Sequence, residues 1–345
     1  MRPAQGGAGA RQRQRRRLAG LLAGLAALLV LGLAGLSLGS RSVPPGESLA
    51  AFWAFDPGND LHLIVRGLRV PRTLLAMLAG AALGVAGALM QAITRNPLAE
   101  PGLLGINAGA AVAVLIGVTA FGLDRVEQYV WFGFAGAGLA GVAVFVLGRA
   151  QESGTDPVRL VLAGAGLSVV LGSLTGIILL NAPAEVYETF RHWGAGAVEG
   201  RGFGVLVALG LALLLGGAIA QVLAPGLNAL ALGRDLGQML GVRPEVSWAL
   251  ACLAIMLLAG AATAAAGPIG LIGLVAPHLA RLVTGPDYRW IVPYAALSGA
   301  ALLLLADVLG RIVAPPAEIA AGIVAALLGG PFFIMAVRRF RLARP

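Results

Sequence analysis

Arg69 and Arg72 stand three residues apart at the head of a long uncharged run. They open the stretch RVPRTLLAMLAGAALGVAGALMQAITRNPLAEPGLLGINAGA, Arg69 to Ala110. At i, i+3 on a helix the two side chains can face one way. A guanidinium offers a rigid fork of N–H donors that fits a carboxylate, so the chemistry open to this pair is recognition of an acidic group. Arg311 closes a second block, LLLADVLGR at Leu303–Arg311. Asp307 lies four residues before it on the same predicted helix and is placed to pair with it. Covalent and metal chemistry find little support. Cys252 is the single cysteine, which excludes a disulfide framework and a cysteine-based metal site. His278 follows Pro277 in APHLAR with no second ligand type nearby, and it reads as structural. The chain has no Lys and so no phosphate-binding Gly-x4-Gly-Lys-Ser/Thr loop; ATP chemistry would belong to another chain.

The elements that position these residues follow from composition. Of 345 residues, 58% are hydrophobic, 12% are charged and 51 are Gly. No soluble domain of this size hides so much apolar surface, so the bilayer is the solvent. Uncharged runs long enough to span recur at Leu18–Gly39, Thr73–Thr94, Gly102–Leu123, Tyr129–Gly148, Leu160–Ala184 and Gly202–Leu223. The run Val246–Ala280 breaks at Gly267-Pro268 and Gly270. It divides into Val246–Ala266 and a short Leu271–Leu282 that is expected to lean on protein. Trp290–Gly310 and Ile319–Val337 complete a predicted all-α membrane bundle of about ten helices. The first run is too long for a signal-peptide core and reads as a retained helix. The domain plan is a basic tail at 1–17, one transmembrane domain at 18–337 and a basic tail at 338–345.

All 25 basic residues are Arg, and the net charge is +9. With both termini in the cytoplasm, seventeen arginines fall inside, including Arg2, Arg95, Arg149 and Arg344, and eight outside. That bias reads the charge as membrane topology, not nucleic-acid binding. Arg66, Arg69 and Arg72 cluster outside, against the rule. They either anchor a helix end at the interface or receive an acidic partner.

An internal echo adds to this. LAGAALGVAG at Leu78–Gly87 and LAGAATAAAG at Leu258–Gly267 match at seven of ten positions with an offset of 180. The spans that carry them run in opposite directions, the pattern of an inverted repeat, although Ala/Gly-rich sequence also produces such matches. Gly80, Gly84 and Gly87 permit close helix packing. Gln91, Asn107, Ser168, Ser173 and Thr175 either line a path or bond a neighbouring helix. Asp307 and Glu318 lie near helix ends, and no acidic residue is placed at mid-membrane for an ion relay. The segment LNALALGRDLGQMLGV, Leu227–Val242, is too short and broken to span; it lies on the inner surface or docks to a partner.

Taken together, RVPRT, RNPLAEPGLLG, GPIGLIGLVAPHLAR at Gly267–Arg281, LLLADVLGR and LALGRDLG stand in an order that resembles the permease subunits of binding-protein-dependent ABC importers for iron-siderophores, haem and cobalamin. The resemblance runs from Arg69 onward. It implies ten transmembrane helices and pairing with a second permease subunit, identical or related. It also implies two ATPase subunits on the cytoplasmic side that carry ATP and Mg, with no cofactor in this chain. An external solute-binding protein would present glutamates to Arg69, Arg72 and Arg311. The cytoplasmic coupling segment, 225–245, would be two short helices meeting the ATPase through Leu230, Leu232, Gly233, Arg234 and Asp235. The expected function is ATP-driven import of an iron-siderophore or a haem- or cobalamin-type chelate by alternating access, in the plasma or inner membrane. The chain itself would not be an enzyme. An ion-gradient-driven secondary transporter is the alternative.

Overall fold

The protein, seen in a computed structural model, is described over residues 5–148 and 157–342. Arg2, Arg149 and Arg344 and the outermost parts of both predicted tails lie outside those residues. The described chain is helical. It comprises α1 (Gln5–Ser37), α2 (Pro45–Trp53), α3 (Asp60–Ile64), α4 (Val70–Thr94), α5 (Ile106–Phe121), α6 (Val126–Leu147) and α7 (Pro157–Leu180). After these come α8 (Ala184–Gly194), α9 (Phe203–Ala231), α10 (Arg234–Met239), α11 (Pro244–Ala266), α12 (Ile272–Thr284), α13 (Tyr288–Val313) and α14 (Ala321–Leu342).

Among the described residues, seven helices are long and apolar enough to cross a membrane, and α5, α12 and the apolar part of α14 are shorter. The predicted runs fall on these helices. The basic segment before Leu18 is not a separate tail over its described part, because α1 continues back to Gln5. The C-terminal arginines likewise extend α14 as far as Leu342.

α4 is the centre of the bundle, packed by α11, α12, α13 and α9. Its small residues are the reason. A Cβ at Gly80 would enter the Gly299 carbonyl of α13, and one at Gly299 would enter the Gly80 carbonyl. Only Gly on both sides allows two backbones so close. α7, by contrast, turns Leu162, Val169, Val170, Ile177 and Leu180 outward. α12 leans on protein as expected, with Ile272 through Pro277 buried.

The two echoed stretches fall on α4 and α11, and these helices pack together. Each of the two also touches the start of a shorter helix. The Leu83 carbonyl of α4 meets Gly273 at the start of α12, while Thr263 of α11 donates to Asn107 Oδ1 at the start of α5, at 2.9 Å.

α4 also defines the two ends of the molecule. Its 25 residues span about 37 Å, from the arginines to the turn at Arg95. The last residues of α1, the first of α9 and the last of α13 gather at the Arg72 end. At the Arg95 end, Arg17 donates to the Thr284 carbonyl at 2.6 Å, and Asn228 donates to Asp287 at 2.7 Å.

Candidate functional site

The three sequence-predicted arginines meet at one end of the bundle. α4 continues without a break from α3 through a π-helical turn at Val65–Arg69, and Pro71, which has no N–H to give, stands just after that turn. Arg69 turns toward the end of α1. It donates to the Leu36 carbonyl at 2.6 Å and to the Arg41 carbonyl. Arg72, one turn on, reaches across the bundle. Its Nε donates to Asp307 Oδ1 at 2.8 Å. Its Nη1 donates to Glu199 at 3.1 Å and to Glu318 at 2.5 Å. Arg311 donates to the other oxygen of Asp307 at 2.7 Å and to the Gly35 carbonyl at 2.9 Å.

Asp307 is therefore a bridge with one guanidinium on each carboxylate oxygen. It is fully buried, and Arg311 is 2% exposed. The expected Asp307–Arg311 pair is present, and Arg72 shares it. The two predicted docking arginines of α4 are close in sequence yet bond to different neighbours. Of the three, Arg72 alone holds carboxylates from three separate segments, with a side chain 13% exposed.

These residues border a cavity of about 960 Å³, within the size range of ligand pockets. Arg41, Arg69, Arg72, Arg201 and Arg311 line it beside Asp124, Glu199 and Glu318. Four of these residues, Arg41, Asp124, Glu199 and Arg201, were not singled out from sequence. Arg201 is buried, donating to the Ala265 carbonyl at 2.8 Å and the Ala197 carbonyl at 3.3 Å. Burial pushes its guanidinium below the ordinary arginine value, against the pull of Tyr129 and the nearby carboxylates. For Glu318, burial alone would raise the carboxyl. The hydrogen bond and charge of Arg72 outweigh that, with help from Ser40 and Arg311, and hold it below its ordinary value.

At the opposite end the predicted coupling segment differs from the expected pair of short helices. α9 runs through Pro225 to Ala231, and α10 is the one short helix of the segment. Leu230 is buried against Gly237, and its carbonyl accepts from Arg95 at 3.0 Å. Gly233 has φ 128°, a turn open to Gly without strain. Arg234 pairs with Glu245 at 2.7 Å, and Asp235 is exposed. Leu232, Leu236, Met239 and Leu240 face outward, Met239 at 82%.

The model of the FecCD transport family matches residues 27–339, nearly the whole described bundle. The chain belongs to the FecCD transport family. Its relatives include the ferric enterobactin transport system permease protein FepD of Escherichia coli K12, 44% identical over 92% of this chain and 94% of that one. Another is the Fe(3+)-citrate import system permease protein YfmD of Bacillus subtilis 168, 39% identical over 90% and 91%. A solved inward-facing structure of an ABC transporter ascribed to the metal-chelate type aligns with TM-score 0.79 and 25% identity, over 93% of this chain and 99% of that one. The FecCD-family chain is thus a multi-pass, all-helical membrane permease. The secondary-transporter alternative is not favoured by these relatives.

The uncharged polar residues of this FecCD permease divide by contact. Gln91 is buried between α4 and α12, donating to the Leu274 carbonyl at 3.3 Å and accepting from Arg281. Asn107 accepts from Thr263, and Ser168 donates to its own helix at Gly164, 2.7 Å away. His278 Nδ1 donates to the Leu274 carbonyl at 2.8 Å.

Proposed function

We propose that this chain is the membrane-spanning subunit of an ATP-driven importer that accepts a ferric chelate from an external solute-binding protein. The substrate class is an iron-siderophore, with haem- and cobalamin-type chelates as the other members of the range. The subunit pairs with a second permease, identical or related, and with two ATPase subunits. ATP and Mg sit on those subunits, so this chain is not an enzyme.

The observation that carries the reading is the opposition of two surfaces across α4 in a chain of this family. One end gathers Arg69, Arg72 and Arg311 at a cavity. The other presents Leu232, Leu236, Met239 and Leu240 around α10. An acidic surface of the binding protein fits the first, by charge-assisted hydrogen bonds. An apolar groove of the ATPase fits the second, in the manner of a helix laid into a groove. On this reading the arginine end is external and both termini are cytoplasmic. The seven long helices and the three shorter ones make ten spans, related as an inverted repeat. The packing of α4 on α11, which carry the two echoed stretches, supports that symmetry. Transport is alternating access: ATP binding closes the ATPase pair, α10 transmits the movement, and the cavity end and the opposite end open in turn. Gln91 ties α4 to α12, Asn107 joins α5 to α11, and Ser168 bonds within its own helix.

Uptake of radioactive iron as ferric enterobactin or Fe(3+)-citrate into vesicles holding the assembled complex tests this. ATP-dependent uptake that survives a proton ionophore is expected. Uptake that ignores ATP and collapses with the ionophore would restore the gradient-driven reading.

A further inference from the structure

Arg72 is already occupied. Two of its three carboxylates come from loops at the rim of the cavity: Glu199, between α8 and α9, and Glu318, between α13 and α14. Both are partly exposed, at 38% and 23%, whereas the third, Asp307, is fully buried. Asp307 therefore fixes the guanidinium in place, and the rim glutamates cap the side of it that faces the cavity. Each also has a second partner. Ser40, on the loop after α1, donates to Glu318 Oε1 at 3.1 Å. His192, at the end of α8, lies 3.0 Å from Glu199 Oε1. The charged form of Glu318 is held by its surroundings, so the cap is an ion pair over the ordinary working range.

We infer that Glu199 and Glu318 are built-in competitors for the docking guanidinium: they occupy Arg72 in the free permease, and an incoming carboxylate of the partner protein exchanges with them. This rests on the docking role proposed for Arg72. Two consequences follow from the contacts. The first is specificity. A single acidic group gains little by replacing an equivalent internal carboxylate, and the displaced glutamates repel it. Only a partner that adds further complementary contacts holds the site, so small anions and unrelated acidic proteins are rejected. The second is transmission. Glu199 uses one oxygen on Arg72 and the other on His192, so its displacement loosens the hold on α8. Trp193, the next residue of that same end, is buried and donates to the Ala264 carbonyl at 3.3 Å, so the His192–Glu199 contact is the part of this anchorage that faces the cavity. Glu318 bonds to Arg72 and Ser40 and serves the first role alone.

The test uses the full permease–ATPase complex in lipid nanodiscs and its cognate solute-binding protein loaded with ferric enterobactin or Fe(3+)-citrate. Affinity is measured for wild type, Glu199→Gln, Glu318→Gln and Arg72→Gln, and amide hydrogen exchange is followed over residues 184–194. Each glutamate variant is expected to bind the partner about five-fold more tightly, the range of a partly exposed ion pair. Faster exchange in α8 without the partner is expected for Glu199→Gln and not for Glu318→Gln. Equal or weaker binding by both glutamate variants, with Arg72→Gln binding lost, overturns the competition and leaves the docking reading standing. Binding by Arg72→Gln as tight as wild type removes the docking reading itself and the exchange with it.

Discussion

At the scale of single residues, the centre of the account is Asp307. It bridges two guanidiniums inside a low-dielectric bundle, and removal of one member of a buried pair leaves an uncompensated charge. Asp307→Ala is expected to destabilise the fold by about 3–5 kcal/mol, read as loss of folded yield and a lowered unfolding midpoint in detergent. Glu318 carries a prediction in pH. Its carboxyl is depressed in the folded state, so its contribution is present above the ordinary carboxyl value of 4.5 and is lost as pH falls through the lower folded value. Partner affinity in wild type and in Glu318→Gln should therefore keep a constant ratio from pH 5.5 to 8, and the ratio should approach one only in stronger acid. An inflection near neutrality would contradict the assignment of a persistent ion pair.

What the sequence made legible here was local. Arg69 and Arg72 stood out because arginines clustered on the disfavoured side of a membrane, and Asp307 because it lies one turn from Arg311. The rim glutamates were not legible as partners of Arg72. They lie 127 and 246 residues away, and no local periodicity connects them. The divergence of Arg69 from Arg72 was hidden for another reason. Each side chain takes the nearest acceptors that other segments offer, carbonyls after α1 for Arg69 and carboxylates for Arg72.

At the scale of elements, the hydrophobic runs marked the helices well because the bilayer demands long uncharged segments. Boundaries were less readable. α9 continues past Leu223, where the predicted span ended, through Pro225 to Ala231, and so the predicted coupling segment holds one short helix. The short helices α2, α3 and α8 escaped notice because they are too short and too mixed in polarity to resemble spans. The seam between α4 and α13 makes a direct prediction. Gly80→Leu would drive a side chain into the Gly299 backbone, and overpacking of this kind costs about 1–3 kcal/mol or more. Gly138→Leu, on α6 with open space around its Cα, should be tolerated. Thermal unfolding of the two purified variants in the same detergent checks the contrast. A second prediction concerns α10. Leu236→Glu with Met239→Glu places charge on an exposed apolar surface that the fold does not use. ATPase association should weaken at least about ten-fold while the unfolding midpoint stays within 2 °C, since surface substitutions rarely move stability. Pull-down at graded ATPase concentrations reads the first quantity and calorimetry the second.

At the scale of the whole molecule, the arginine cavity and α10 lie at opposite ends of a rigid, glycine-packed core. A core so tightly packed transmits movement between its ends as a body and does not deform along its length. The outward apolar residues of α7, and of α14 at Ile323, Leu327 and Ile334, leave ample surface for lipid and for a second permease subunit. The family relation fixes the class of transporter, and the two ends are the surfaces we propose for its two kinds of partner. The most direct test of that assignment is the ATPase rate of the reconstituted complex, with and without the loaded binding protein, for wild type and for Arg69→Glu/Arg72→Glu. The account predicts stimulation by the binding protein in wild type and its loss in the double variant, both normalised to the amount of folded complex. Stimulation of equal size in both would contradict a docking role for the arginine end.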